Sequence, residues 1–569
     1  MTRTRCRSEM VIPRPKRIEG TRQWCVLDRN SSIGSHDVDR SLTTRVREAF
    51  GAATGLRLHQ GQSALHGVCL QRVKRLPGIP CQAEGYVIQV TPSLATLSAV
   101  TERGLWYAVQ SLIGMTRVEG ARVSIPCGAV RDWPDFSYRG FMADPARCFI
   151  TPERMRWYID YLSRNKYNQF HVHFSDAESF TLPSVVFPKL NALCDPPHGV
   201  YSKADLNRIN QYASERYVEL VPEIDLPGHA TFLVQQYPEL KCQTKSEPAS
   251  SWTICIGAET TYRFLDRLIG EVAALFPGRF LHLGTDELEF LDMIERVHAS
   301  WRECPACRRR MAREHLTNSR QLFYYFMRRM RDMAARYGKR LIMWNDSIDI
   351  AHPHSVPHDI LQQFWRIAAV GHGPFKGCTL TKFLQDGFQA INSYYPETYL
   401  DGYIEEQRLV KWNPLSSPAV PARYQARILG GECCAWSDGA KDNYLRSLPS
   451  ALPMFADRVW NQAPIDDPDA FAEGLARHIF GPRTPAGLNR LFPTLGMMAL
   501  YSNKQVAYKP VLLKAIPRDR RLALCAQLRR LIRREQTKNH LMNTFVLAEY
   551  DRFLMLLQRA LKSDLCPMG

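Results

Sequence analysis

No run of about 18 consecutive apolar residues occurs in the chain, which excludes an ordinary transmembrane helix. Nothing resembles a secretory leader, because Met1 to Met10 is polar and basic with no apolar core. No glycine-rich phosphate loop follows any candidate strand, which weakens a dinucleotide-binding sheet. There is no internal repeat and no low-complexity segment. Cysteine is not scarce, at 16 residues, but close pairing is. Cys304-Pro305-Ala306-Cys307 is the one tight pair, and irregular spacing in so long a chain is no disulfide framework. A structural zinc would need two more ligands, and no second tight pair offers them. Cys304 and Cys307 are therefore expected as surface thiols in a loop, Cys433 and Cys434 as buried residues at a strand end, and no metal or cofactor is expected. These absences together give the expectation of a soluble, cytoplasmic protein with reduced thiols.

What is present is enough for several domains, since 569 residues exceed one hydrophobic core. The formal charge of +18 would suit nucleic acid, a membrane surface or an anionic substrate. The basic residues are dispersed, however, and the densest group, Arg518 to Lys538, alternates with leucines at helical spacing, so it reads as a solvated helix face. Neither nucleic acid nor membrane is expected as a partner.

The organisation read from periodicity has four parts. Residues 1–10 are a tail. Residues 11–133 form a small α/β domain, with strands at Tyr86–Val90 and Leu94–Val100 and a helix at Gly104–Thr116, ending near Asp132-Trp133-Pro134-Asp135. Residues 134–466 alternate short apolar runs with amphipathic stretches. The candidate strands are Tyr138–Ala143, Gln169–Phe174, Val218–Ile224, Arg279–Leu283, Arg340–Trp344, Ile360–Trp365, Phe388–Ser393 and Ile428–Glu432. Helices at Pro152–Asn165, Lys203–Glu215, Thr261–Leu275 and Ser319–Tyr337 fall between them. Eight strands with helical crossovers predict an α/β fold, a TIM-type (β/α)8 barrel, with an open doubly wound sheet as the alternative. Residues 467–569 form a helical C-terminal extension that would either cover the barrel or serve a homodimer.

In a barrel the C-terminal strand ends carry the chemistry. Strand one leads to Asp144 and Arg147. Strand two gives His171, His173 and Asp176; strand three gives Glu223, Asp225 and His229. Strand four ends in Gly284-Thr285-Asp286-Glu287. Strands five and six end in Trp344 and Trp365, strand seven leads to Tyr399 and Asp401, and strand eight gives Glu432, Trp436 and Asp438. Adjacent acids suggest acid–base work by one ionised and one protonated carboxyl, or merely a solvated turn. Any one tryptophan suits a core, but three at strand ends beside many carboxylates suggest a sugar site, where C–H faces stack on indoles and carboxylates grip hydroxyls.

Four segments occur in order: Arg139-Gly-Phe-Met-Ala-Asp144-Pro-Ala-Arg147, Asn168-Gln-Phe-His171-Val-His173-Phe-Ser-Asp176, Pro222-Glu-Ile-Asp225-Leu-Pro-Gly-His229 and His282-Leu-Gly-Thr-Asp286-Glu287. With Tyr399-Leu-Asp401 and Gly430-Gly-Glu432-Cys-Cys-Ala-Trp436 they resemble the β-N-acetylhexosaminidases of glycoside hydrolase family 20, over roughly residues 11 to 460. The resemblance implies a retaining exo-glycosidase acting on terminal β-linked N-acetylglucosamine or N-acetylgalactosamine of a glycan. It also implies substrate assistance, in which the 2-acetamido oxygen attacks the anomeric carbon to give an oxazolinium intermediate. Glu287 would be the general acid and base, Asp286 would hold the acetamido N–H, and Tyr399 would donate to its oxygen. Trp344, Trp365 and Trp436 would enclose the methyl group. Arg139 and Asp438 would hold ring hydroxyls, Asp401 would lie near the amide or sugar, and Asp176 with His229 would tune the acid from behind. Thr285 stands where the family usually has glycine, Asp438 where it usually has the longer glutamate, and Cys148 where histidine is common. A regular strand points successive residues to opposite faces, so Asp286 and Glu287 share one basin only if the chain turns at or after Gly284.

Two other classes remain open on the residues. His171-Val172-His173 puts two imidazoles on one strand face, a spacing also used by metal-dependent barrel hydrolases. A barrel that binds carbohydrate without turnover is the second.

Overall fold

The alternating apolar and amphipathic segments resolve, in a computed structural model, into eight parallel strands closed on themselves. They are β1 (Tyr138–Ala143), β2 (Gln169–His173), β3 (Glu219–Glu223), β4 (Phe280–His282), β5 (Arg340–Trp344), β6 (Leu361–Phe364), β7 (Ala390–Asn392) and β8 (Ile428–Ala435), with β8 pairing back onto β1. The structure describes residues 11–482 apart from 62–63, 192–197, 245–248, 289–290, 367–376, 402–408, 410 and 439–447, together with 526, 529 and 530. The helical run expected over Leu522–Ser563 lies outside the described residues but for those last three; helix Pro468–Phe480 is observed beyond Asp467.

Local signals explain the outer ring. Thr151 caps helix Pro152–Arg164, which has proline at its first position, and Ser202 with Asp205 forms a capping box at the start of Lys203–Ser214. Helices Glu259–Leu275 and Ser319–Arg336 follow with apolar faces turned to the strands. Two further helices, Leu291–Glu303 and Pro305–Arg313, fill the β4–β5 connection.

Inside the barrel the strand period of two sets three layers. The lowest is apolar: Tyr138, Val221, Phe280, Ile342, Leu361 and Ile391. Two residues further along the strands come His171, Glu223, His282, Gln363 and Glu432, all buried. Above them Met142, Trp344, Tyr399 and Cys434 open toward the mouth. A polar middle layer is costly unless every charge is partnered, and its partners are described below.

The preceding unit is an eight-stranded mixed sheet running Arg17–Leu27, Arg122–Asp132, Tyr86–Val90, Leu94–Ala99, Gly67–Arg72, Ser32–His36, His59–Gln60, with Arg117–Glu119 paired to Arg122–Asp132. Ala95, Leu97 and Ala99 alternate onto one face and share a core with Leu105, Leu112 and their neighbours on helix Glu102–Met115. This unit seats against the N-terminal ends of β1 and β2. Arg139 forks onto Glu84 at 2.7 and 3.1 Å, and Lys166 lies 3.2 Å from Asp132, both pairs buried. Trp460, at the end of helix Leu448–Trp460, donates to the same Asp132.

Candidate active site

The acids are delivered by a left-handed turn. β4 stops at His282, and Gly284, Thr285 and Glu287 then take φ values of 71°, 79° and 59°. At Gly284 a side chain is excluded twice: by the positive φ, and because a Cβ would lie 1.9 Å from Asp225 Oδ1. Thr285 tolerates a conformation that costs an L residue about 1–2 kcal/mol because its surroundings hold it. Its N–H donates to Asp225 Oδ1 (3.2 Å), its hydroxyl to Trp344 O (3.3 Å), and its carbonyl accepts from Ser347 (2.7 Å). The Glu287 N–H donates to Asp346, which pairs with Arg366. The result is convergence: Asp286 Oδ2 and Glu287 Oε2 lie 3.9 and 3.5 Å from the same nitrogen, His229 Nε2.

Behind that nitrogen runs a chain of alternating charge. His229 Nδ1 meets Asp176 at 3.0 Å; Asp176 also meets His173 Nε2 at 2.8 Å and Arg147 at 2.6 Å. His173 Nδ1 bonds Glu223, whose other oxygen accepts from Trp344 Nε1 (2.8 Å). His171 Nδ1 meets Glu432 at 2.8 Å, and Glu432 accepts from Gln363 and Tyr138. Burial alone would push Glu223 upward, but the imidazoles of His173, His282 and His171 outweigh it and hold the carboxylate well below its usual range. Burial pushes His171 down, and Glu432 and Glu223 reverse this, raising it to about 9. His173 is raised as well, whereas burial keeps His282 low. The raised imidazoles of His171 and His173 thus lie among three carboxylates, Glu432, Glu223 and Asp176.

The acids differ in the same way. Burial, reinforced by Asp346 and Glu287 against the pull of His229, raises Asp286 to about 7. Burial also acts on Glu287, but His229, then Arg366 and Arg147, outweigh it and leave this carboxyl below the usual glutamate range. Asp176 holds His229 well above an ordinary histidine despite burial.

Opposite the acids stands an aromatic wall. Trp365 stacks on Tyr399 (6.0 Å, 18° between planes), Tyr399 meets Trp436 at 6.4 Å, and Trp436 meets Trp344 at 5.9 Å. Burial raises the Tyr399 phenol well above 10, so it stays a donor. The Asp401 carboxylate receives the backbone N–H of Trp436 at 3.5 Å. Asp438, half-exposed at the rim, lies 3.8 Å from Arg147 Nε.

The structure thus brings Asp176, His229, Asp286, Glu287, Trp344, Trp365, Tyr399, Asp401, Trp436 and Asp438 to one end of the barrel. It does not bring Arg139 there. Arg139 is the second residue of β1, so it sits at the opposite end, 1% exposed and committed to Glu84, Tyr107 and two backbone carbonyls. The arginine at the mouth is Arg147, three residues past Asp144, to which it is bonded at 2.9 Å. Its sequence signal was its position after the strand, where Arg139 precedes the turn by most of the strand's length. Asp346, two residues past Trp344, and Arg366, next to Trp365, were also missed as supports of the acid turn.

His171 and His173 do not stand apart as a free metal-ligand pair; their nitrogens face Glu432, Glu223 and Asp176. The expectation of surface thiols at Cys304 and Cys307 is overturned. Both are buried, and Cys242 and Cys255, 13 residues apart and so no tight pair in sequence, lie against them.

The model of Glycosyl hydrolase family 20, catalytic domain, matches residues 136–463, and that of Glycosyl hydrolase family 20, domain 2, matches residues 9–133. A beta-hexosaminidase of Porphyromonas gingivalis is 26% identical over 388 residues, 63% of this chain and 48% of the relative. One of Vibrio furnissii is 28% identical over 399 residues, 63% of this chain and 62% of the relative. The chain therefore spans about half the length of the first relative and under two thirds of the second. Among solved structures, Streptomyces plicatus N-acetyl-beta-hexosaminidase in complex with Thio-NAglucal superposes with a TM-score of 0.67 at 26% identity, covering 83% of this chain and 94% of that one.

Proposed function

The chain belongs to glycosyl hydrolase family 20, and from that membership we propose that it is a retaining exo-β-N-acetylhexosaminidase. Its substrate is a glycan or glycoconjugate ending in β-linked N-acetylglucosamine or N-acetylgalactosamine. The observation that carries this reading is the convergence of Asp286 and Glu287 on one histidine nitrogen. A protein nucleophile and its partner acid must flank the glycosidic bond from two sides; two consecutive carboxylates on the His229 side leave the nucleophile to the substrate's own amide.

The roles follow from the surroundings. Trp344, Trp365 and Trp436 enclose the acetamido methyl and exclude water, and Tyr399 donates to the acetamido oxygen. Asp286 accepts the acetamido N–H and balances the positive charge that develops on the oxazolinium ring. Glu287 gives its proton to the leaving oxygen and then takes one from water, with Asp176 and His229 setting its charge. Arg147 and Asp438 at the rim, with Asp401, hold ring hydroxyls, a task that Arg139 is too remote to share.

The test is a panel of chromogenic β-glycosides with and without the 2-acetamido group. Loss of the group is expected to lower kcat/KM by about 10³-fold or more, within the effective molarity of roughly 10⁵–10⁸ M available to an oriented internal nucleophile. Equal rates on the plain glucoside would overturn the proposal. Glu287→Gln should lose about 10²–10⁴-fold on substrates with poor leaving groups, and much less where the leaving group needs no proton.

A further inference from the structure

Away from the mouth, four buried thiols meet. Cys242 and Cys255 lie on two segments that pair antiparallel through Lys241 and Ile254, with the Cys255 N–H donating to Leu240 O at 2.7 Å. Cys304 immediately precedes helix Pro305–Arg313, and Cys307 sits in its first turn. All four sulfurs lie within 4.8 Å of one another. The separations are 3.7 Å for Cys255–Cys304, 3.7 Å for Cys255–Cys307 and 4.0 Å for Cys242–Cys307. A disulfide would require about 2.05 Å. Four sulfurs each about 2.3 Å from one zinc ion stand about 3.8 Å apart along the edges of a tetrahedron.

We propose that Cys242, Cys255, Cys304 and Cys307 form a structural tetrathiolate zinc site. The donor set is all sulfur and closed, as in structural zinc sites, and leaves no position for substrate. The four thiols give up their protons as the metal binds. The complex carries excess negative charge, and the N-terminus of helix Pro305–Arg313, where unpaired N–H groups gather, lies against it. Gly257 lets the loop approach this helix end: a Cβ there would lie 2.3 Å from the Cys307 Cα.

The site ties the loop after β3 to the helices after β4. The tied loop is the one that backs His229. Ile254 N–H and the Thr253 hydroxyl both donate to Pro227 O (3.0 and 2.8 Å), Ala230 N–H donates to Trp252 O (2.9 Å), and the Trp252 ring lies 4.9 Å from the His229 ring. The metal therefore positions, at one remove, the histidine that both acids approach. The inference stands on thiol geometry and does not depend on the proposed reaction.

The full chain, purified without added metal or chelator, should contain one zinc per molecule by mass spectrometry of the metals. Growth on cobalt should give the intense visible absorption of a tetrahedral tetrathiolate. The double variant Cys304→Ser/Cys307→Ser should lose the metal, while Cys378→Ser, at a buried thiol elsewhere, should keep it. If the double variant fails to fold, the stoichiometry of the unaltered chain decides alone. Four free thiols with no metal, two disulfides by intact mass, or iron in place of zinc would each overturn the proposal.

Discussion

Asp286 and Glu287 share a histidine but not a proton affinity. With Asp286 raised to about 7 and Glu287 held low, the pair carries one proton between those limits, mainly on Asp286 in the free protein. Catalysis as proposed needs that proton on Glu287, and the acetamido N–H supplies the reason for it to move, since it stabilises ionised Asp286. Above pH about 7 the pair loses its last proton, so kcat/KM should fall as pH rises through that value. Asp286→Asn should lower turnover and also move this alkaline limb toward acid, because Glu287 then titrates alone beside His229. A profile whose limb stays near 7 in the variant would refute the shared-proton account. Thr285 makes a second residue-scale prediction. Thr285→Gly relieves about 1–2 kcal/mol of left-handed strain but gives up a hydroxyl bond worth about 1 kcal/mol and adds unfolded-chain freedom of about 0.5–1 kcal/mol. Denaturant melts should therefore place the variant within about 1 kcal/mol of the parent.

At the scale of elements, an arginine on β1 and one just past its end have opposite fates. Arg139 enters β1 and Arg147 follows it, and a barrel strand has a chemical end and a structural end. Arg139→Ala should cost about 3–5 kcal/mol of stability by stranding Glu84, with KM of the surviving fold unchanged. Arg147→Lys keeps charge beside Asp144 and Asp176 but loses the fork, and kcat/KM should fall about 10- to 100-fold, the worth of one charged hydrogen bond. Thermal melts and steady-state kinetics on the two variants separate these outcomes. The strands themselves were legible: the bounds of β1 and β5 match the apolar runs, and others differ by one to three residues. What sequence spacing hid was depth along a strand and proximity across loops. Arg139 lies in the same motif as Arg147, and only the strand bounds, Tyr138–Ala143, put the first at the structural end of β1 and the second past its chemical end. Cys242 and Cys255 were invisible as partners of Cys304 and Cys307 because helix Glu259–Leu275, β4 and helix Leu291–Glu303 separate them. The left-handed turn was half legible: Gly284 announced it, while Thr285 and Glu287 adopt positive φ only because Asp225, Trp344, Ser347 and Asp346 hold them.

For the molecule as a whole, the buried charges set a pH window of stability. His171 stays protonated to about 9 in the fold but only to about 6.5 when unfolded, so its contribution is complete below about 6.5 and is lost as pH climbs to 9. Glu223 and Glu432 are held low, so theirs is complete above about 4.3, the unfolded value, and is lost as acid protonates them in the fold. Melting temperature should therefore peak between about 4.3 and 6.5 and decline on both sides; a flat profile from 6 to 9 would contradict the charged middle layer. The seam between the two folded units carries a different consequence, one of timing. The chain is made from its N-terminus, so Glu84 and Asp132 leave the ribosome before Arg139 and Lys166, the cations they later enclose. A sheet that folds as a unit as it emerges has both carboxyl side chains in place for the first barrel strand, long before β8 exists to close the ring.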